Sequence, residues 1–155
     1  MKLLVRPTPF NDESLIGYLI RLTEYNGYSS PNNILGLLPS RDIYLSARGL
    51  VIRRKTEQPL DRSFDELAQL VQKDARILSQ LRSRNFPDRP DHRVEIDLVN
   101  ILEKEHPHKI CPLSLKENAY HRKLWNCILV TVCPEHKCLL HKFCPSCNKA
   151  ISLNR

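Results

Sequence analysis

Leu15, Leu19 and Leu22 recur at helical spacing between polar positions, joined by Ile16, Tyr18, Ile20 and Tyr25, which is the pattern of an amphipathic helix. Asn11 or Asp12 can cap its first turn, Asp12 and Glu13 suit its positive end, and Asn26-Gly27 supplies a left-handed stop, so the pattern predicts a helix over residues 12–25. A short second helix follows, with Ser30 as N-cap, Pro31 at the first helical position and Pro39 as the stop. Residues 42–55, "DIYLSARGLVIRRK", fit no single period: the β-branched residues favour strand and Gly49 interrupts a helix. Further on, Ser63 and Glu66 read as a capping box ahead of an apolar face made by Phe64, Leu67, Leu70 and Val71. Asp74 can cap another helix carrying Ala75, Ile77, Leu78 and Leu81. Two short helices broken at Lys73-Asp74 resemble a helix-turn-helix, and a plain helical bundle fits the same periodicity.

The periodicity lapses over "RSRNFPDRPDHR", residues 82–93, where two prolines and mixed charge mark a linker. Val94, Leu98, Ile101 and Leu102 then share one helical face until His106-Pro107 ends it. The expected architecture is mainly α. A helix-turn-helix-like helical domain occupies residues 1–83, a linker and connecting helix residues 84–109, and a small zinc-ribbon module of α+β type residues 110–155.

Composition narrows the setting. The opening apolar run breaks at Arg6 and is followed by Asp12 and Glu13, unlike a signal peptide, and no apolar stretch reaches the length of a membrane span. A soluble cytoplasmic protein with no membrane partner is expected, and in a reducing compartment six cysteines clustered from Cys111 to Cys147 favour metal ligation over disulfides. The formal net charge is +7, and residues 111–155 hold seven Lys or Arg against two Glu. An anionic partner such as nucleic acid suits that basic segment; solubility alone explains it equally well.

"CPEHKCLLHKFCPSC" is the densest chemistry in the chain. A structural zinc takes four N or S ligands, commonly in pairs two residues apart, because one tight turn then presents both side chains. Cys133-Pro-Glu-His136 and Cys144-Pro-Ser-Cys147 each fit such a knuckle, while Cys111-Pro-Leu-Ser114 starts the same way and offers a serine, a poor ligand, in the second place. Two arrangements remain open. Cys133, His136, Cys144 and Cys147 can form one compact site, or Cys111 can join Cys133 and His136 in a site short of a fourth ligand, leaving Cys144 and Cys147 to a second one. Cys127 and Cys138 read as small buried apolar residues, and His106, His108, His121 and His141 as solvated side chains. A hydrolytic or deaminase zinc needs an open position and a His-x-Glu base; Glu135 lies in a knuckle without that pattern, so a structural Zn²⁺ and no enzymatic activity are expected.

"RPTPFNDESLIGYLIRLTEYNG" and "ICPLSLKENAYHRKLWNCILVTVCPEHKCLLHKFCPSC", with its Tyr120-His121-Arg122-Lys123-Leu124-Trp125 block, resemble the TniQ family of bacterial transposon target-selection adaptors, which includes the TnsD-like proteins. The resemblance covers residues 6–38 and 110–147 and departs at Ser114, where the family pattern leads one to expect cysteine. Ending at Arg155 just after one knuckle, the chain is expected to be either a short member or the N-terminal piece of a longer one. The resemblance implies a non-enzymatic adaptor that connects a target, either a DNA attachment site or an RNA-guided CRISPR effector on DNA, to an AAA+ transposition regulator. In that role Arg122, Lys123, Lys137 and Lys142 are candidate phosphate or partner contacts, with Trp125 either an interface anchor or packed against the metal module. The competing reading is a stand-alone zinc-containing helix-turn-helix transcription regulator.

Overall fold

The computed structural model describes residues 3–39, 43–46, 49–52, 61–81, 108–127 and 129–151. The expected linker at 84–93 and the connecting helix beyond it lie outside the described residues, as does His106.

Helix α1 spans Leu15–Tyr25, beginning three residues later than the periodicity predicts. Its N-cap is Ser14, whose Oγ accepts from the Gly17 amide at 3.1 Å, in place of the expected Asn11 or Asp12. The stop falls as read, with Asn26 at the C-cap and Gly27 at φ 69°, a backbone region that glycine enters without a Cβ penalty. Asn26 also acts as a clasp. Its Oδ1 accepts from the Leu4 and Val5 amides at 2.7 and 2.9 Å, while its Nδ2 donates to the Val5 and Leu22 carbonyls. The proline-rich start of the chain is thereby tied to α1, and Tyr18 Oη and Arg21 Nη2 reinforce it by donating to the Pro7 and Thr8 carbonyls.

Helix α2, Pro31–Leu35, has Ser30 as N-cap and Pro31 in its first turn, as the sequence predicts. The ambiguous stretch resolves into an antiparallel hairpin, β1 (Ile43–Ser46) paired with β2 (Gly49–Ile52), in register from Ile43 with Ile52 to Ser46 with Gly49. Gly49 therefore opens a strand. Helix α3, Asp61–Val71, starts ahead of Ser63, so Ser63 lies inside the helix and is not its N-cap. At Gln72 the backbone turns left-handed, φ 54°, and Asp74 caps α4 (Ala75–Gln80) by accepting from the Arg76 amide at 2.7 Å. The break at Lys73-Asp74 is where the sequence places it.

Leu19 and Leu22 of α1, Ile34 of α2, Leu67 and Val71 of α3 and Leu78 of α4 are fully enclosed in one core. Burying an aliphatic side chain of this size contributes roughly 1.5–3 kcal/mol, so the shared stripe, more than helix propensity, holds these short helices together. Ile77, expected on the apolar face of α4, is exposed. The first amide of α1 donates to the Leu81 carbonyl at 2.8 Å, which seats the end of α4 against the start of α1.

Beyond residue 108 the described chain has one short helix, α5 (Pro112–Glu117), and a 3₁₀ turn, Lys123–Asn126. The expected β component is reduced there to isolated bridges, Ile110 with His141, Val132 with Leu139 and Phe143 with Ala150. Among the described residues no continuous strand is formed in this module, and the protein is mainly helical. Prolines, tight turns and a left-handed residue in each knuckle interrupt the ladders before they extend. Trp125, Cys111, Cys133 and Leu140 make its small buried core.

Candidate metal centre

Two turns in the module repeat one design. In the first, the Cys133 amide donates to the Cys138 carbonyl and the Lys137 amide to the Cys133 carbonyl; in the second, Cys144 pairs likewise with Lys149 and Asn148. Lys137 and Asn148 both sit at φ 53°, the left-handed step that folds each turn back on itself. Backbone amides of Ser146 and Cys147 point at the Cys144 sulfur and draw its pKa down, the knuckle geometry that favours a thiolate.

The module brings together Cys111, Cys133 and His136. Their donor atoms all lie within 4.8 Å of one another, so the three can hold a metal ion. Cys111 arrives from the start of α5, registered by paired backbone hydrogen bonds between Ile110 and His141, and its sulfur accepts from the Ser114 amide. His136 Nδ1 stands 3.6 Å from Cys111 Sγ and 3.5 Å from Cys133 Sγ. On the far side of the ring, Nε2 meets Glu117 Oε1 at 3.0 Å. A carboxylate only accepts, so Nε2 carries a proton, and in the neutral ring the Nδ1 lone pair faces the sulfurs, an orientation typical of metal-ligating histidines. Glu117, and then Cys133, raise the His136 pKa above its usual value.

Cys144 and Cys147 stay in the second knuckle, Cys147 exposed, and join no such group among the described residues. Among the described residues the donors of the compact Cys133–Cys147 arrangement are not gathered into one such group. Cys138, read as an apolar filler, has its sulfur 3.6 Å from that of Cys111. Cys127, expected buried, is exposed. The signal for Cys138 was present in the sequence: it sits two residues beyond His136, inside the same turn.

Alongside the centre, the residues of "PFNDES" meet those of "YHR" one by one. Phe10 stacks on Tyr120 with centroids 4.3 Å apart, Arg21 lies 4.5 Å over the Phe10 ring, and Arg122 lies 5.3 Å over Tyr120. This cluster of two rings and two guanidinium groups is flanked by carboxylates. Asp12 accepts from Tyr120 Oη and Arg122 Nη1, each at 2.8 Å, and the Tyr120 phenol is pushed up to about 12 by burial and by Asp12. Glu13, with no exposure, grips Arg21 at 2.9 and 2.7 Å. The Lys123 amide donates to the Asp12 carbonyl and the Ser14 amide to the His121 carbonyl.

His121 is buried in this seam, where solvation was expected. Gly17 faces it so closely that a Cβ would stand 2.9 Å from the His121 carbonyl oxygen. Arg122, a candidate phosphate contact by sequence, spends its guanidinium on Asp12, on Glu135 at 2.5 Å and on Ser114 Oγ at 3.0 Å. Trp125 is wholly buried and packs edge-on to His121 at 5.3 Å, in the core of the module. Lys123 Nζ donates to the Gln80 carbonyl at 2.8 Å; Lys137 is exposed and Lys142 half-buried. His108 is also partly enclosed, and burial lowers its pKa.

A helical body carrying a cysteine-histidine module on the N-terminal end of its first helix defines a class of two-part scaffold in which both segments are needed to complete the seam. The TniQ family model matches residues 4–140, spanning both, and the chain belongs to the TniQ family. This is a family of non-catalytic adaptors associated with DNA transposition. No curated protein matches the chain. No helix among the described residues is long and apolar enough to cross a membrane.

Proposed function

We propose that this protein is a target-selection adaptor that links a target DNA complex, an attachment site or an RNA-guided CRISPR effector, to an AAA+ transposition regulator of the TnsC-like kind. The observation that carries the reading is the seam, since it fixes the basic module rigidly on the helical body and so gives one unit two separate partner faces. Lys137 and Lys142, with Lys123 at the edge, are the proposed phosphate or partner contacts. Arg122 and Trp125 serve by holding the seam and the module core. Leu129, Leu139 and the neighbouring Val132 and Phe143 are exposed on the module and supply the apolar part of a protein-facing surface.

The bound ion is zinc in a structural role, held by Cys111, Cys133 and His136, with Cys144 and Cys147 belonging to a second, ribbon-like site. A tetrahedral zinc with ordinary bond lengths holds a sulfur and a nitrogen ligand roughly 3.6 Å apart. The separations of 3.6 and 3.5 Å from His136 Nδ1 to the two sulfurs support that geometry. Zinc supplies cross-linking here and no reaction.

The second reading, a zinc-containing helix-turn-helix regulator, draws on the α3-turn-α4 break. Helix α4 runs only from Ala75 to Gln80, about 9 Å at the usual rise, which is short for reading a major groove. Co-sedimentation separates the two. The adaptor reading expects the chain to pellet with ATP-bound AAA+ regulator filaments and to bind naked duplex weakly and without sequence preference. Tight sequence-specific duplex binding by the chain alone, with no retention on filaments, establishes the regulator instead.

A further inference from the structure

The metal centre has three ligands in place and wants a fourth. Ser114, at the knuckle position after Cys111-Pro-Leu, does not supply it. Its hydroxyl accepts from Arg122 Nε at 3.0 Å, and a neutral hydroxyl already engaged by a cation is a poor zinc ligand. Glu117 is occupied on the wrong side of the ring, at His136 Nε2. Glu135 is held by Arg122.

We propose that Cys138 is the fourth ligand, replacing the position that Ser114 leaves vacant. The inference rests on the metal reading above and concerns this chain's own residues. Cys138 Sγ lies 3.6 Å from Cys111 Sγ. Two thiolates on one tetrahedral zinc stand about 3.8 Å apart, whereas a disulfide requires about 2.05 Å. The separation is that of co-ligands. Cys138 is half-buried against the Trp125 and Cys111 core, and its carbonyl accepts from the Cys133 amide at 2.8 Å, so its backbone is fixed at the base of the knuckle. Its sulfur stands outside the group of three whose donors are all mutually close. Cys138 Sγ is therefore within ligand-to-ligand distance of Cys111 alone, and to complete the set it has to close on Cys133 and His136 when the metal binds. The resulting set is three thiolates and one imidazole, with two ligands, His136 and Cys138, two residues apart in one turn.

The test uses the full chain carrying Cys144→Ser and Cys147→Ser, so that only the first centre binds metal. Cobalt(II) is titrated, the sulfur-to-cobalt charge-transfer band is read, and zinc affinity is measured by competition with a chromophoric chelator. The parent is expected to show three-thiolate intensity. Cys138→Ala should lower that band by about a third and weaken zinc by roughly 100-fold or more, as loss of one of four ligands entails. Ser114→Cys added to Cys138→Ala should restore both, which also shows that the single variant's loss is not misfolding. An unchanged band and affinity in Cys138→Ala, with loss in Cys133→Ala, overturns the Cys138 assignment alone. Retention in both variants overturns the metal reading with it. A Cys111–Cys138 disulfide in the metal-loaded chain likewise overturns the assignment.

Discussion

Ser14 Oγ and His121 Nδ1 lie 2.8 Å apart across 107 residues of sequence, and the same hydroxyl oxygen accepts from the Gly17 amide as the N-cap of α1. The proton positions follow from the partners. His121 Nε2 sits 3.1 Å from the Lys109 carbonyl, which can only accept, so Nε2 carries the hydrogen and Nδ1 accepts from the Ser14 hydroxyl. One buried imidazole thus completes a helix cap in the N-terminal body and holds the segment leading to Cys111 in the module. The relationship explains why "NDES" and "YHR" occur in the same chain.

Burial makes His121 a reporter of that contact. Desolvation, then the neighbouring His108, lowers its pKa from 6.5 to about 3. A histidine neutral when folded and free to protonate when unfolded contributes its full stability above pH 6.5, and that contribution falls as pH drops toward 3. Between pH 7 and pH 5 the loss is on the order of 2 kcal/mol. Urea denaturation at both pH values should show this slope in the native protein and a shallower one in His121→Phe. Equal slopes would place His121 in water.

Gly17 is the steric partner of the same contact. In an exposed helix interior, Gly→Ala stabilises by roughly 0.8–1 kcal/mol. Here the added methyl meets the His121 carbonyl oxygen at 2.9 Å and its backbone nitrogen at 3.0 Å, backbone atoms that cannot swing away. Gly17→Ala should lower the midpoint of thermal unfolding, costing about 1–3 kcal/mol through overpacking. A raised midpoint would show that α1 and the module stand further apart.

Glu13 and Arg21 form a buried bidentate pair, with Phe10 and Thr8 completing the shell around the guanidinium. Glu13→Gln leaves Arg21 charged and enclosed, which costs roughly 3–5 kcal/mol. A double change to Glu13→Gln with Arg21→Met should recover most of that loss. Chemical denaturation of the three chains measures it, and near-equal stability of Glu13→Gln and the native protein would mean that the pair is solvated.

Zinc is expected to leave the first centre together with its cysteines. Metal content by plasma mass spectrometry should fall by about one zinc per chain in Cys111→Ser and equally in Cys133→Ser, since both donate to one ion. Chelation should lower thermal stability in the native chain and have less effect in Cys133→Ser. Zinc kept in Cys111→Ser and lost in Cys133→Ser would return the site to the compact Cys133–Cys147 arrangement.

Local interactions were readable from the chain itself. The α1 stripe, the Ser30-Pro31 start of α2, the Asp74 cap and the Gly27 stop depend on neighbours within a turn, so spacing and residue type determine them. The Cys133 and Cys144 knuckles were legible for the same reason. Asp12 and Glu13 looked like helix-end charges because their true partners, Arg122 with Tyr120 and the Arg21 side chain, are reached only after folding. Their commitment left Ser14 to cap α1. The hairpin at residues 43–52 was undecidable while pairing was unknown, since strand energy resides in the partner strand. His121 and Gly17 were silent because each acts through one contact distant in sequence, and such contacts leave no period. The sequence by itself determined which segments are helices and which turns can present metal ligands; tertiary structure decided which of those ligands meet, because a tetrahedral set is assembled from segments that only the seam brings into register.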